Sequence, residues 1–180
     1  MLNPEHLGFP DEETLSCQDG LVENHHYRDL RWMTLEDFDR LWAAEQELLT
    51  YEGDLDTDEA DARFSDNEVY LLGLDPGVAS TVAALAAAGA VPVTSCAGGP
   101  GHSERHPLVL FWAEAAVLAP ILAAAEEAGV FVEGVTHPGL LAYTFGDVAL
   151  MQNFARALVS RLRATTESAA PAPPRSAHGA

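Results

Sequence analysis

The chain contains no lysine; its nine cations are all arginines, against 28 aspartates and glutamates, for a net charge of -19. A field of that sign repels nucleic-acid phosphates and anionic membrane surfaces, so nucleic acid is disfavoured as a partner. Cysteine is scarce as well. Cys17 and Cys96 are too few for a disulfide framework, and a reduced cytoplasmic setting is the expectation. No stretch approaches the roughly 18 uninterrupted apolar residues of a membrane span. The most apolar segment, 113–125, is broken by Glu114 and Pro120. Met1 to His6 lacks the basic start and apolar run of a secretory signal. No membrane partner is expected. An alanine-rich, lysine-free composition fits a GC-rich bacterial genome.

What is present suits one compact domain with appendages: 180 residues, 48% of them hydrophobic. The charge is unevenly placed. Residues 1–68 hold 20 acids and four arginines, whereas 69–163 hold seven acids and four arginines. The expected organisation is an acidic arm with a helix over 1–68, an α+β core over 69–163 and a disordered tail over 164–180. Residues 1–33 read as arm or loop. Thr34 should cap a helix carrying Leu35, Phe38, Leu41, Trp42 and Leu48 and ending at Gly53. Asp54 to Asp66 is an acidic connection. Its Asp54-x-Asp56-x-Asp58 start departs from a calcium loop, with Glu59 for glycine at the sixth position and Ser65 for glutamate at the twelfth.

From Asp75 the pattern sharpens. Asp75 should cap a helix with Pro76 at its first position, running over 78–88 to Gly89. Strands are expected at 91–95, 108–112, 130–134 and 140–145. A helix should span 113–128, kinked or broken at Pro120, and another 147–163. Two units share the order helix, glycine, strand, His-Pro, strand, with His106-Pro107 and His137-Pro138 at matching places. The fold class is therefore α+β: two helix-β-hairpin units plus a closing helix, about four mainly antiparallel strands, and helices over one face. Matching turns also predict that both hairpin loops lie at one end of the sheet.

The first hairpin loop is the longer, and it gathers reactive side chains. Residues 94–106 read Thr-Ser-Cys-Ala-Gly-Gly-Pro-Gly-His-Ser-Glu-Arg-His. Long loops in compact domains tend to carry function. Three chemistries suit it. In an extended segment His102, Glu104 and His106 share a face; with Cys96, and His137 from the second turn, they form a donor set suited to zinc. Alternatively Cys96 is a nucleophile served by His102 or His106. Thirdly, Gly98, Gly99 and Gly101 with Arg105 form a nest for a small anionic ligand. Arg105 is the only cation between Arg63 and Arg156.

Ser95-Cys96-Ala97-Gly98, set between two strands after a helix, resembles the Ser-Ser-Cys-Ser-Gly-Arg region of the wybutosine-synthesis tRNA methyltransferase family. The resemblance covers at most residues 78–163 and rests on Ser95, Cys96 and Gly98. It implies an α/β architecture and, for that family, S-adenosylmethionine. Thr94, Ala97 and Gly99 depart from the pattern, and the acidic surface is unlike that of a tRNA-binding protein.

The residues lead to a cytoplasmic ligand-binding or regulatory protein with its site in the 96–106 loop. A small metal-assisted or cysteine-dependent enzyme using Cys96 with His102 or His106 is the alternative. An acidic protein–protein interaction or inhibitor module is the third class.

Overall fold

The computed structural model describes residues 30–50, 71–100, 102–134 and 140–169. Helix α1 spans Leu35–Leu49 and begins as its sequence predicts. Asp37 N donates to Thr34 Oγ1 at 3.2 Å, and Thr34 N donates back to Asp37 Oδ2 at 2.8 Å. This is a reciprocal capping box. Hydrogen bonds from Thr34 hold the Asp37 carboxyl below its ordinary range. The contribution of the box is therefore complete above the usual carboxylate range and fades as pH falls through the depressed value. Thr34→Ala should cost about 0.5–2 kcal/mol in a urea titration at neutral pH. A midpoint equal to wild type would show that the box contributes nothing.

Helix α2 spans Ala79–Ala87 and every residue from Ala79 to Ala86 is buried. It is followed by strands β1 (Val91–Cys96) and β2 (Leu108–Trp112), helix α3 (Ala115–Ala128), strands β3 (Phe131–Gly134) and β4 (Leu140–Tyr143), and helix α4 (Val148–Ala169). The strands form one antiparallel sheet in the order β1-β2-β4-β3. The fold is α+β, with two helix-hairpin units and a closing helix.

One face of the sheet is sealed. Val109, Phe111, Leu140 and Ala142, which lie opposite one another on β2 and β4, are fully buried. They join the core with Leu85 of α2, Ile121 of α3, and Met151, Phe154 and Leu158 of α4. Helix α2 is the central helix, packed on α1 and α4, and α3 packs on α4. Phe38 and Leu41 of α1 enter the same cluster, so α1 belongs to the core it was expected to precede. Salt bridges Arg163–Asp39 and Arg161–Glu127 tie α4 to its neighbours on the surface. Exposed pairs of this kind contribute about 0–1 kcal/mol each. Among the described residues no helix is long and apolar enough to cross a membrane.

Three local expectations are corrected. Of the kink or break expected at Pro120, the break is absent: helix α3 runs continuously through it, the sixth residue of its span. Helix α4 continues through 164–169, residues expected in the tail, where Thr165 and Thr166 hydroxyls donate to the carbonyls of Arg161 and Leu162. That stretch contains no proline before Pro171 to stop it. Finally, the hairpins point in opposite directions. Cys96, Leu108, Tyr143 and Phe131 form one row across the sheet, and Pro92, Phe111, Leu140 and Gly134 another. The 97–107 loop leaves from the first row. The strand ends at Gly134 and Leu140 lie in the second, about 10 Å further along the strands. Pairing β4 antiparallel to β2 forces this reversal, which no repeat in the sequence reveals.

Candidate functional site

One end of the sheet collects the chemistry. The turn before α2, the loop after β1 and the segment leading into α4 meet there. Gly77 has φ +98°, and a Cβ on it would come 2.7 Å from Val148 Cβ. Only glycine permits the N-terminal ends of α2 and α4 to approach this closely.

Asp75 takes a different part from the cap expected of it. Its carbonyl accepts from Val78 N and Ala79 N, so residues 76–78 form a turn and Pro76 precedes the helix. Its carboxylate faces the loop: Oδ2 accepts from Ala97 N at 3.1 Å and lies 3.4 Å from His102 Nδ1. The amides at the start of α2 are served from α1 instead. Glu45 Oε1 accepts from Gly77 N at 2.8 Å and Ser80 N at 3.3 Å, and Oε2 accepts from Gln152 Nε2 at 3.4 Å. Glu45 is 0% exposed. A signal for it is present in the sequence: Glu45 sits in the apolar stripe of α1, four residues after Leu41 and seven after Phe38.

Cys96 closes β1 and is 6% exposed. Gly98 N donates to its Sγ at 3.4 Å. The loop then folds on itself, with Gly99 N donating to Glu104 O and His102 N to Gly99 O, both at 3.2 Å. Gly98 has φ +73°, and a Cβ there would lie 2.5 Å from the carbonyl carbon of His106. The loop closes onto this glycine. As a result one donor atom from each of Asp75, Cys96 and His102 lies within 4.8 Å of the other two.

Cys96 and His102 are thus brought together, joined by Asp75. Glu104 and His106 are placed otherwise. Residues 102–106 are bent, and the shared face that alternate residues would have in a strand is lost. Glu104 and Arg105 are exposed, and the His106 ring meets Phe145 edge-on at 5.2 Å. Gly101 and His137 lie outside the described residues. The amides of Ala97, Gly98 and Gly99 already donate to Asp75, Cys96 and Glu104, which leaves the expected anion nest without those donors.

Cysteine sulfur, carboxylate oxygen and imidazole nitrogen are the donor types that tetrahedral zinc-type centres use, and three such donors leave one position for water or ligand. The amides on Asp75 and Sγ are hydrogen bonds of the kind that orient metal ligands from outside. The exposure of His102 leaves the cluster accessible from solvent.

No protein-family model matches the chain, and neither a curated protein nor a solved structure matches it. The likeness at Ser95, Cys96 and Gly98 therefore remains that of a short segment.

Proposed function

We propose that the protein is a ligand-binding protein built around a divalent transition metal, zinc by its donor chemistry, held by Asp75, Cys96 and His102. The observation that carries this reading is the convergence of three donor types within 4.8 Å at the junction of a strand, a loop and a helix-leading turn. Metal affinity here depends on deprotonated donors, so uptake should release protons and weaken on acidification.

A cysteine-dependent enzyme is the second reading, favoured by the Asp75–His102 contact beside the Cys96 thiol. In a nucleophile–base–acid relay the imidazole stands between sulfur and carboxylate. Here sulfur and carboxylate are themselves close, as ligands of one ion are, and the metal reading ranks first.

Cobalt(II) titration separates the two. The wild-type protein should develop a thiolate-to-cobalt absorption with one ion per chain. Cys96→Ser should abolish that band, and Asp75→Asn or His102→Ala should weaken cobalt binding at least about tenfold, a loss of about 1.4 kcal/mol. Wild-type protein that takes up no cobalt, yet is alkylated rapidly at Cys96, overturns the metal reading in favour of the thiol enzyme.

A further inference from the structure

Beside the cluster stands a group of rings that the core does not use. Phe131 is 52% exposed and Phe145 65% exposed. They contact one another at 5.7 Å, and each contacts Tyr143 at 5.4 Å. Rings left this open and touching one another are a feature of binding surfaces more than of solvated ones. The group is continuous with the metal loop. The His106 ring leans on Phe145, and the His106 backbone lies against Gly98, two residues from Cys96. Across the sheet, Cys96, Leu108, Tyr143 and Phe131 are successive partners in one row and so share a face. Two strand spacings put Tyr143 about 10 Å from Cys96, the reach of a small ring-bearing molecule anchored at the metal.

Charge indicates which end of such a molecule meets the ion. A divalent metal with one open position takes an anionic oxygen. Arg105 is the one cation of the loop and makes no ion pair with the described residues.

We infer that the site binds a small aromatic carboxylate: the carboxylate completes the coordination of the metal, and the ring packs against Phe145, Tyr143 and Phe131. This inference rests on the metal reading above.

The test uses the full chain loaded with cobalt, with benzoate, acetate and benzylammonium as probes. Benzoate should shift the cobalt ligand-field bands at a concentration about tenfold below that needed for acetate, the difference a ring contact supplies. Benzylammonium should leave the bands unmoved. Phe145→Ala should bring benzoate close to acetate while cobalt affinity stays as in wild type. Arg105→Ala should weaken both carboxylates and keep their ratio. Equal effects of benzoate and acetate, an undiminished benzoate preference in Phe145→Ala, or band shifts by benzylammonium would each overturn the inference and leave the metal reading standing. A chain that takes up no cobalt overturns both.

Discussion

Replacing Glu45 by alanine is expected to produce one of the largest losses of stability available to a single change in this protein. The substitution strips two amides, Gly77 N and Ser80 N, of a buried acceptor and leaves Gln152 without a partner for its side-chain amide. Each buried donor left unsatisfied costs about 1–3 kcal/mol. Domains of this kind hold only about 5–15 kcal/mol in total. Glu45→Ala should therefore lower the urea midpoint by a large fraction of its wild-type value. Glu45→Gln keeps one oxygen for the amides, and its loss should be smaller. The same change should be felt at the proposed metal site. The amide that Glu45 holds belongs to the 75–78 turn from which the Asp75 carboxylate projects. Cobalt affinity in Glu45→Gln should fall under conditions where circular dichroism shows the chain still folded. A Glu45→Ala unfolding free energy within about 0.5 kcal/mol of wild type, the range of neutral surface changes, would show that α1 does not brace this turn.

Gly98→Ala should be the change that most damages the site for the least chemical alteration. An L-residue at φ +73° costs about 1–2 kcal/mol. The added methyl would also meet the His106 carbonyl carbon at 2.5 Å and Pro107 N at 2.7 Å, both backbone atoms. Neither can swing aside as a side chain would, so the loop must open and carry His102 away from Cys96. Cobalt affinity should drop at least about tenfold, equivalent to about 1.4 kcal/mol. Gly99→Ala is the internal control. Its φ is +92°, but nothing lies within 4 Å of the new Cβ. It carries the strain without the collision and should bind cobalt as the wild type does. Equal cobalt binding by the two variants would show that the close approach at Gly98 does not set the loop.

Much of the fold could be read along the chain because local rules govern it. Thr34 and Asp37 cap α1 through bonds between residues three apart. Gly129 ends α3 in a left-handed conformation, as a glycine after a periodic run predicts. The strands near 91–96, 108–112, 131–134 and 140–143 stand out as short apolar runs between turn residues. Errors arose where a local signal competed with a distant one. Asp75 has the residue type and place of an N-cap, yet a carboxylate from α1 takes that task and frees Asp75 for the loop. The predicted end of α4 at Arg163 gave too much weight to polar residues that are good enough helix formers on an exposed face.

The sequence alone determined the class of the fold and singled out the loop that carries Cys96 and His102. Both follow from periodicity, glycines and residue types within short windows, and Cys96 and His102 were legible on those grounds. Tertiary structure decided which donors meet. Asp75 is separated from Cys96 by a helix and a strand, and the two are joined only because α2 packs back along the sheet and brings its leading turn to the end of β1. It also decided which way each hairpin points, through the antiparallel pairing of β2 with β4. That pairing sets Tyr143 and Phe131 in line with Cys96. These are contacts between residues distant in the chain, made by burial of apolar surface that has no preferred direction and so leaves no spacing to read in the sequence.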